Sequence, residues 1–156
     1  MYTKILVPID GSRTSARGLD EAIKLAKGQK ATLVLLHAVD EAVVTYGADM
    51  VPVYVDRMLE SMREGGRKIL ARAAARVRAR GVKSKSVLVE KFVGPVADSI
   101  IAQAKKQRAD LIVIGTHGRR GVTRLLMGSD AESVVRRSHA PVLLVRSREQ
   151  PRRGKR

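Results

Sequence analysis

Five short apolar runs rich in branched residues, with helical patterns between them, confine this sequence to a narrow set of folds. The runs cover residues 3–9, 31–38, 84–90, 110–115 and 141–146. Most lack apolar–polar alternation, which is how strands covered on both faces read. Leu19, Ala22, Ile23 and Ala26 recur at helical spacing, with Gly28 as the expected stop. Met58, Met62, Ile69, Leu70, Ala73 and Val77 make a longer stripe that ends before Gly81. Val96, Ala97, Ile100, Ile101 and Ala104 make a third, with Pro95 suited to the first helical position. Ser129 to Ser138 reads as a fourth helix, with Val134 and Val135 on one face. Strands alternating with helices imply a parallel sheet with helices on both faces.

The length of 156 residues suits one domain with a full core. With one Phe, three Tyr and no Trp, that core is aliphatic. No apolar run approaches the roughly 18 residues of a membrane span. The N-terminus runs straight into a strand, so no signal peptide is expected. The absence of cysteine excludes disulfides, thiol catalysis and cysteine-ligated metals, and a cytoplasmic location is the expectation.

Net charge is +16. Residues 147–156 are expected to form a basic disordered tail beyond a domain of residues 1–146, because like charges repel and little is there to bury. The remaining excess reads as a solvated surface or as a polyanion-binding module. The scarcity of aromatics leaves no stacking platform, and no helix-turn-helix or zinc pattern occurs, so no specific nucleic-acid partner is expected. Eight basic residues lie between Arg57 and Arg80 against Glu60 and Glu64, as a solvated face or a partner surface.

The fourth apolar run ends in a glycine series. Gly115 and Gly118 are separated by two residues, nine more lead to Gly128, and Ser129 follows. Glycines let backbone N–H groups approach an anion, and a helix start adds unpaired N–H groups and partial positive charge. The pattern is neither a Walker loop, since no Lys follows Gly128, nor a dinucleotide G-x-G-x-x-G. G-x-x-G-x9-G-S after a fourth strand resembles the nucleotide motif of the universal stress protein family. Lys4 to Ser12 resembles its first strand and Asp-Gly-Ser turn, Leu33 to Ala38 its second strand, Gly94-Pro95 its turn into a helix, and Ala140 to Val145 its last strand. The likeness runs from residue 2 to about residue 146.

The resemblance implies a single doubly wound α/β domain with a five-stranded parallel sheet of order 3-2-1-4-5. It implies a switch point between strands 1 and 4 and an ATP site there, with ADP or AMP as alternatives. Pro8 and Asp10 then line the adenosine pocket, and the backbone of Ala38 touches adenine. Gly115, Gly118, Gly128 and Ser129 match ribose and phosphate contacts. His117 and Arg119 lie in the same loop, and Asp130 and Ala131 in the helix's first turn. Asp10 also reads as a plain turn residue, Ser129 as a helix cap, and His117, Arg119, Arg120 and Arg124 as solvated loop residues.

Asp130 departs from the apolar or small residue that many nucleotide-binding members carry after Gly-Ser. It would weaken ATP affinity, hold Mg²⁺ against the phosphates, or only support the helix dipole. His37 reads as a packed residue rather than a base, and His139 as a connector. Residues 40–55 read as a flap or a packing loop. The function implied is a nucleotide-binding regulatory or sensing module in stress response. The alternative is a slow ATPase, for which Asp10 and Asp130 are the carboxylates that can be placed nearby. The family also implies a homodimer through strand 141–146, whose apolar edge invites pairing.

Overall fold

The computed structural model describes residues 1–41, 52–91, 94–116 and 127–146. In chain order the elements are β1 (Lys4–Pro8), α1 (Arg13–Gln29), β2 (Thr32–Asp40), α2 (Pro52–Ala79), β3 (Ser84–Lys91), α3 (Val96–Gln107), β4 (Leu111–Gly115), α4 (Ser129–Arg137) and β5 (Val142–Val145). The strands form one parallel sheet in the order β3-β2-β1-β4-β5, as the family resemblance implied.

Two apolar layers cover the sheet. Ile5 and Val7 of β1 point to the face packed by Leu19, Ala22 and Ile23 of α1 and by Leu70, Ala73 and Val77 of α2. Leu6 between them points to the other face, under Ala97 and Ile100 of α3 and Ala131 and Val134 of α4. Burial on both faces explains why the strand runs do not alternate. Full burial of each such aliphatic side chain contributes roughly 1.5–3 kcal/mol.

Three helix ends differ from the sequence expectation. Helix α1 runs past Gly28 and ends at Lys30, whose left-handed φ of 56° lets its N–H reach the Ala26 carbonyl. This end is tied down because the Gln29 side chain accepts from the Tyr2 N–H just before β1. Pro95 sits at the cap position of α3, not inside it, with extended backbone. Helix α2 starts at Pro52, inside the segment read as irregular, where a proline's fixed φ suits a first helical residue. Residues 42–51 of that segment and the expected tail 147–156 lie outside the described residues.

Candidate functional site

Strands β1 and β4 are neighbours, paired Ile5 to Leu111 and Leu6 to Ile112. The helix after β1 covers one face and the helix after β4 covers the other. Their carboxyl ends therefore splay apart and open a crevice, the place where sheets of this type receive ligands. Pro8 closes β1 and Gly115 closes β4.

The first wall is a tight turn. The Asp10 carboxylate accepts from the Ser12 N–H at 2.8 Å. Gly11 between them has φ of +83°, a conformation that side chains rarely tolerate. Ser12 caps α1, its hydroxyl accepting from the Ser15 N–H at 3.1 Å. Asp10 is thus a turn residue, and the turn sets it at the mouth of the crevice.

The second wall is the edge of β2. The β1 pairing stops at Pro8 opposite Leu36, with one further bond from the Ile9 N–H to the Leu36 carbonyl at 2.7 Å. The pairing with β3 continues to Asp40 opposite Lys91. Beyond Leu36, β2 therefore has a strand on one side only. By the two-residue repeat of a strand, Ala38 directs its N–H and carbonyl toward the vacated side, as Leu36 directs its carbonyl to Ile9. The Ile9 carbonyl is occupied by His37 Nδ1 at 2.6 Å. A carbonyl only accepts, so Nδ1 carries the proton. His37 is buried and packed against Gly66 of α2, in keeping with a structural role.

The third wall is the join of β4 to α4. A Cβ on Gly115 would lie 2.7 Å from Thr14 Cγ2 and 3.0 Å from the Thr14 carbonyl carbon. Gly115 is therefore required by the first turn of α1 packing on the end of β4. Beyond it, buried Thr116 donates its N–H to the Val145 carbonyl at 3.0 Å and accepts from the Gly128 N–H at 2.8 Å. This clasp closes the base of the glycine-rich loop. Sequence reasoning missed Thr116, which carries no signal beyond its place after Gly115.

The clasp also spends the Gly128 N–H. Gly128 rather than Ser129 is the cap residue of α4, with no side-chain bond, and Ser129 is the first helical residue. The Gly128 carbonyl takes the first helical bond, from the Glu132 N–H at 2.9 Å. The N–H groups of Ser129, Asp130 and Ala131 come before that bond and face the crevice end without helical partners. Ala131 is buried and anchors the turn. Asp130 Oδ1 accepts from the Ala97 N–H of α3 at 3.2 Å. His117, Gly118, Arg119, Arg120 and Arg124 lie outside the described residues.

Beside the crevice, fully buried Glu41 at the end of β2 receives Arg63 of α2, with Nε at 3.0 Å and Nη2 at 2.8 Å from Oε1. Arg63 also lies 3.3 Å from Glu90 of β3. The hydrogen bonds it donates to Glu41 outweigh burial and hold the guanidinium further toward its charged form. The bridge pins α2 over the carboxyl ends of β2 and β3. Its only sequence signal is an acid just past a strand end. Among the described residues no three His, Asp or Glu side chains cluster as metal ligands, and no helix is long and apolar enough to cross a membrane.

The universal stress protein family model matches residues 1–146. The universal stress protein YxiE of Bacillus subtilis is 38% identical over 151 residues, spanning 94% of this chain and 100% of that one. The solved structure of the hypothetical protein MJ0577, a Methanocaldococcus jannaschii universal stress protein, superimposes with a TM-score of 0.84 at 25% identity, over 96% of this chain and 99% of that one. A universal stress protein solved in complex with cAMP superimposes with a TM-score of 0.65 at 28% identity, over 93% of this chain and 97% of that one.

Proposed function

This chain belongs to the universal stress protein family, and we propose that it binds an adenine nucleotide between β1 and β4 as a regulatory or sensing module in stress response. The observation that carries this reading is the unpaired edge of β2 at Ala38, on the same crevice as the open first turn of α4. A flat base with adjacent donor and acceptor groups is read by a strand edge presenting the complementary pair. A phosphate is held by converging N–H groups at a helix start.

In this reading Ala38 meets the adenine edge, and Pro8 and Asp10 line the base and ribose. The N–H groups of Ser129, Asp130 and Ala131 take the phosphates. Gly115 and Gly128 shape the loop, and His117, Gly118 and Arg119 complete it. The nucleotide is ATP, with ADP or AMP as alternatives. Mg²⁺ arrives with the phosphates rather than on a preformed carboxylate site. The cAMP complex of the structural relative supports an adenine nucleotide as the ligand class. The domain of residues 1–146 acts in the cytoplasm as a homodimer, with the basic tail outside it.

Titration calorimetry of the full chain with ATP, ADP and AMP, with and without Mg²⁺, tests the reading. One site per chain is expected. Gly118→Val should weaken binding more than tenfold with an unchanged melting temperature, because a side chain would stand where backbone meets phosphate. No heat with any of the three at millimolar concentration would overturn the proposal.

A further inference from the structure

The two ends of the sheet differ in charge: the strand carboxyl ends are mixed, with Lys91 closing β3, Arg13 opening α1 and Arg146 following β5 among several acids. Around the carboxyl ends of the strands lie Asp10, Asp40, Glu41 and Glu90, with Asp98 and Asp130 in the first turns of α3 and α4. The amino ends are predominantly basic. Lys83 precedes β3, Lys30 precedes β2, Lys4 begins β1 and Arg108 precedes β4. These four strands are neighbours in that order, so one basic residue stands at the foot of each. At roughly 4.8 Å per strand the row spans about 14 Å.

Cations flank the row on both faces of the sheet. Lys27 from the end of α1 and Arg78 and Arg80 from the end of α2 lie on one side. Lys105 and Lys106 from the end of α3 lie on the other, and the contact of Lys85 Nζ with Gln107 Oε1 at 3.4 Å ties the end of α3 to the start of β3. Apart from half-buried Lys4, all of these side chains are exposed. Among the described residues none of them forms an ion pair, whereas Lys24, Arg63, Arg67, Lys68 and Arg76 all do. The carboxylate at this edge is Asp110, and it is taken up by Thr3 and by the Lys4 N–H. Helix C-termini draw cations into their last turns. That accounts for Lys27, Arg78, Lys105 and Lys106, but not for a row that follows the strands.

We infer that the strand-amino edge is a docking surface for the phosphate backbone of duplex nucleic acid, bound without sequence preference. A double helix presents one negative charge per about 1.7 Å of axis, a density that matches a compact row of unpaired cations. Single strands are disfavoured because the edge offers no exposed ring for stacking: Tyr2 is packed against the core. An anionic membrane is disfavoured because large exposed apolar side chains lie elsewhere, at Tyr54, Met58, Val135 and Leu143, leaving Met1 alone at this edge. The surface is opposite the β1–β4 crevice, so a bound duplex leaves that crevice open.

The test is fluorescence anisotropy of a labelled 20-base-pair duplex of arbitrary sequence with the full chain, across a series of salt concentrations. The edge variant carries Arg78→Gln, Arg80→Gln, Lys83→Gln and Lys106→Gln. A charge-matched variant carries Arg152→Gln, Arg153→Gln, Lys155→Gln and Arg156→Gln. The edge variant should bind more than tenfold more weakly at low salt, and its slope of log affinity against log salt should shrink by about three to four. The charge-matched variant should lose much less. Melting curves check that both remain folded, and pairs of substitutions replace the four if the edge variant does not. Equal losses in the two variants would make net charge the determinant and overturn the assignment. So would duplex affinity within twofold of the parent in the edge variant. Parent protein that binds vesicles of 30% phosphatidylserine but not the duplex would overturn it as well.

Discussion

Asp130 in the first turn of α4 caps a different helix: its carboxylate accepts from the Ala97 N–H at the start of α3, 3.2 Å away. Pro95, at the cap position of α3, has no side-chain acceptor to offer. The acid that departs from the apolar or small residue in the motif therefore supplies a bond that the local sequence lacks. A second tie, Arg137 to Asp98 at 2.7 Å, joins the same two helices. Asp130→Ala should cost about 0.5–2 kcal/mol, the usual worth of a helix cap, and Asp130→Asn should retain most of it. Urea unfolding of the two variants checks this. Equal losses would show that charge, rather than the acceptor, is what matters. Because Asp130 is engaged with α3, Mg²⁺ should enhance ATP binding equally in parent and Asp130→Asn, which calorimetry with and without chelator reads directly.

Gly65 and Gly66 stand side by side in α2 and should respond oppositely to alanine. A Cβ on Gly65 meets nothing within 4 Å. Gly65→Ala should then stabilise the protein by roughly 0.5–1 kcal/mol through helix propensity. A Cβ on Gly66 would lie 2.7 Å from the His37 ring and 2.8 Å from Leu88 Cδ1. Leu88 can turn aside, but His37 is held by its bond to the Ile9 carbonyl. Gly66→Ala should cost about 1–3 kcal/mol as an overpacked site. Thermal melts of the two variants should move in opposite directions.

The central strands β1, β2 and β4 were legible because each is a short apolar run buried on both faces, and the Asp10 turn because Asp-Gly has a local mechanism. Single-residue placement at helix ends was not. Gly28 reads as a stop, but α1 runs on to Gln29, whose side chain is held by Tyr2. Ser129 reads as a cap, but the Thr116 clasp on Gly128 fixes the cap one residue earlier. Gly115 reads as a ligand contact, yet α1 packing alone forbids a side chain there. In each case the deciding partner is distant in sequence, and local pattern does not carry it.

Asp110 should make stability depend on acid pH. Burial pushes its carboxyl upward, but hydrogen bonds from the Thr3 side chain and from the Thr3 and Lys4 N–H groups outweigh burial and hold it below its ordinary value. A lowered carboxyl favours the folded state above its ordinary value near 4. That contribution fades as pH falls through the folded value. Asp110→Asn should therefore lower stability at pH 7 by roughly 1–2 kcal/mol, discounted for partial exposure. The gap between parent and variant should close below about pH 4. A gap constant from pH 7 to pH 3 in urea titrations would show that the charge contributes nothing.

Leu143 should govern assembly. Among the described residues strand β5 ends the sheet and pairs only with β4, leaving its outer edge of N–H and carbonyl groups unmatched. Edge strands that remain solitary carry charge, proline or a covering segment. Within Val142–Val145 there is neither charge nor proline, and Leu143 is 39% exposed. A two-fold axis placing β5 of one copy beside β5 of another would satisfy the edge and bury both leucines, the self-complementary arrangement usual for homodimers. Light scattering of the full chain should then give the mass of two chains. Leu143→Lys should give one chain with the fold retained, because a lysine at the centre of the paired edge meets its own symmetry mate. A parent mass of one chain at micromolar concentration would rule the interface out, and a dimer that survives Leu143→Lys would move it to another surface.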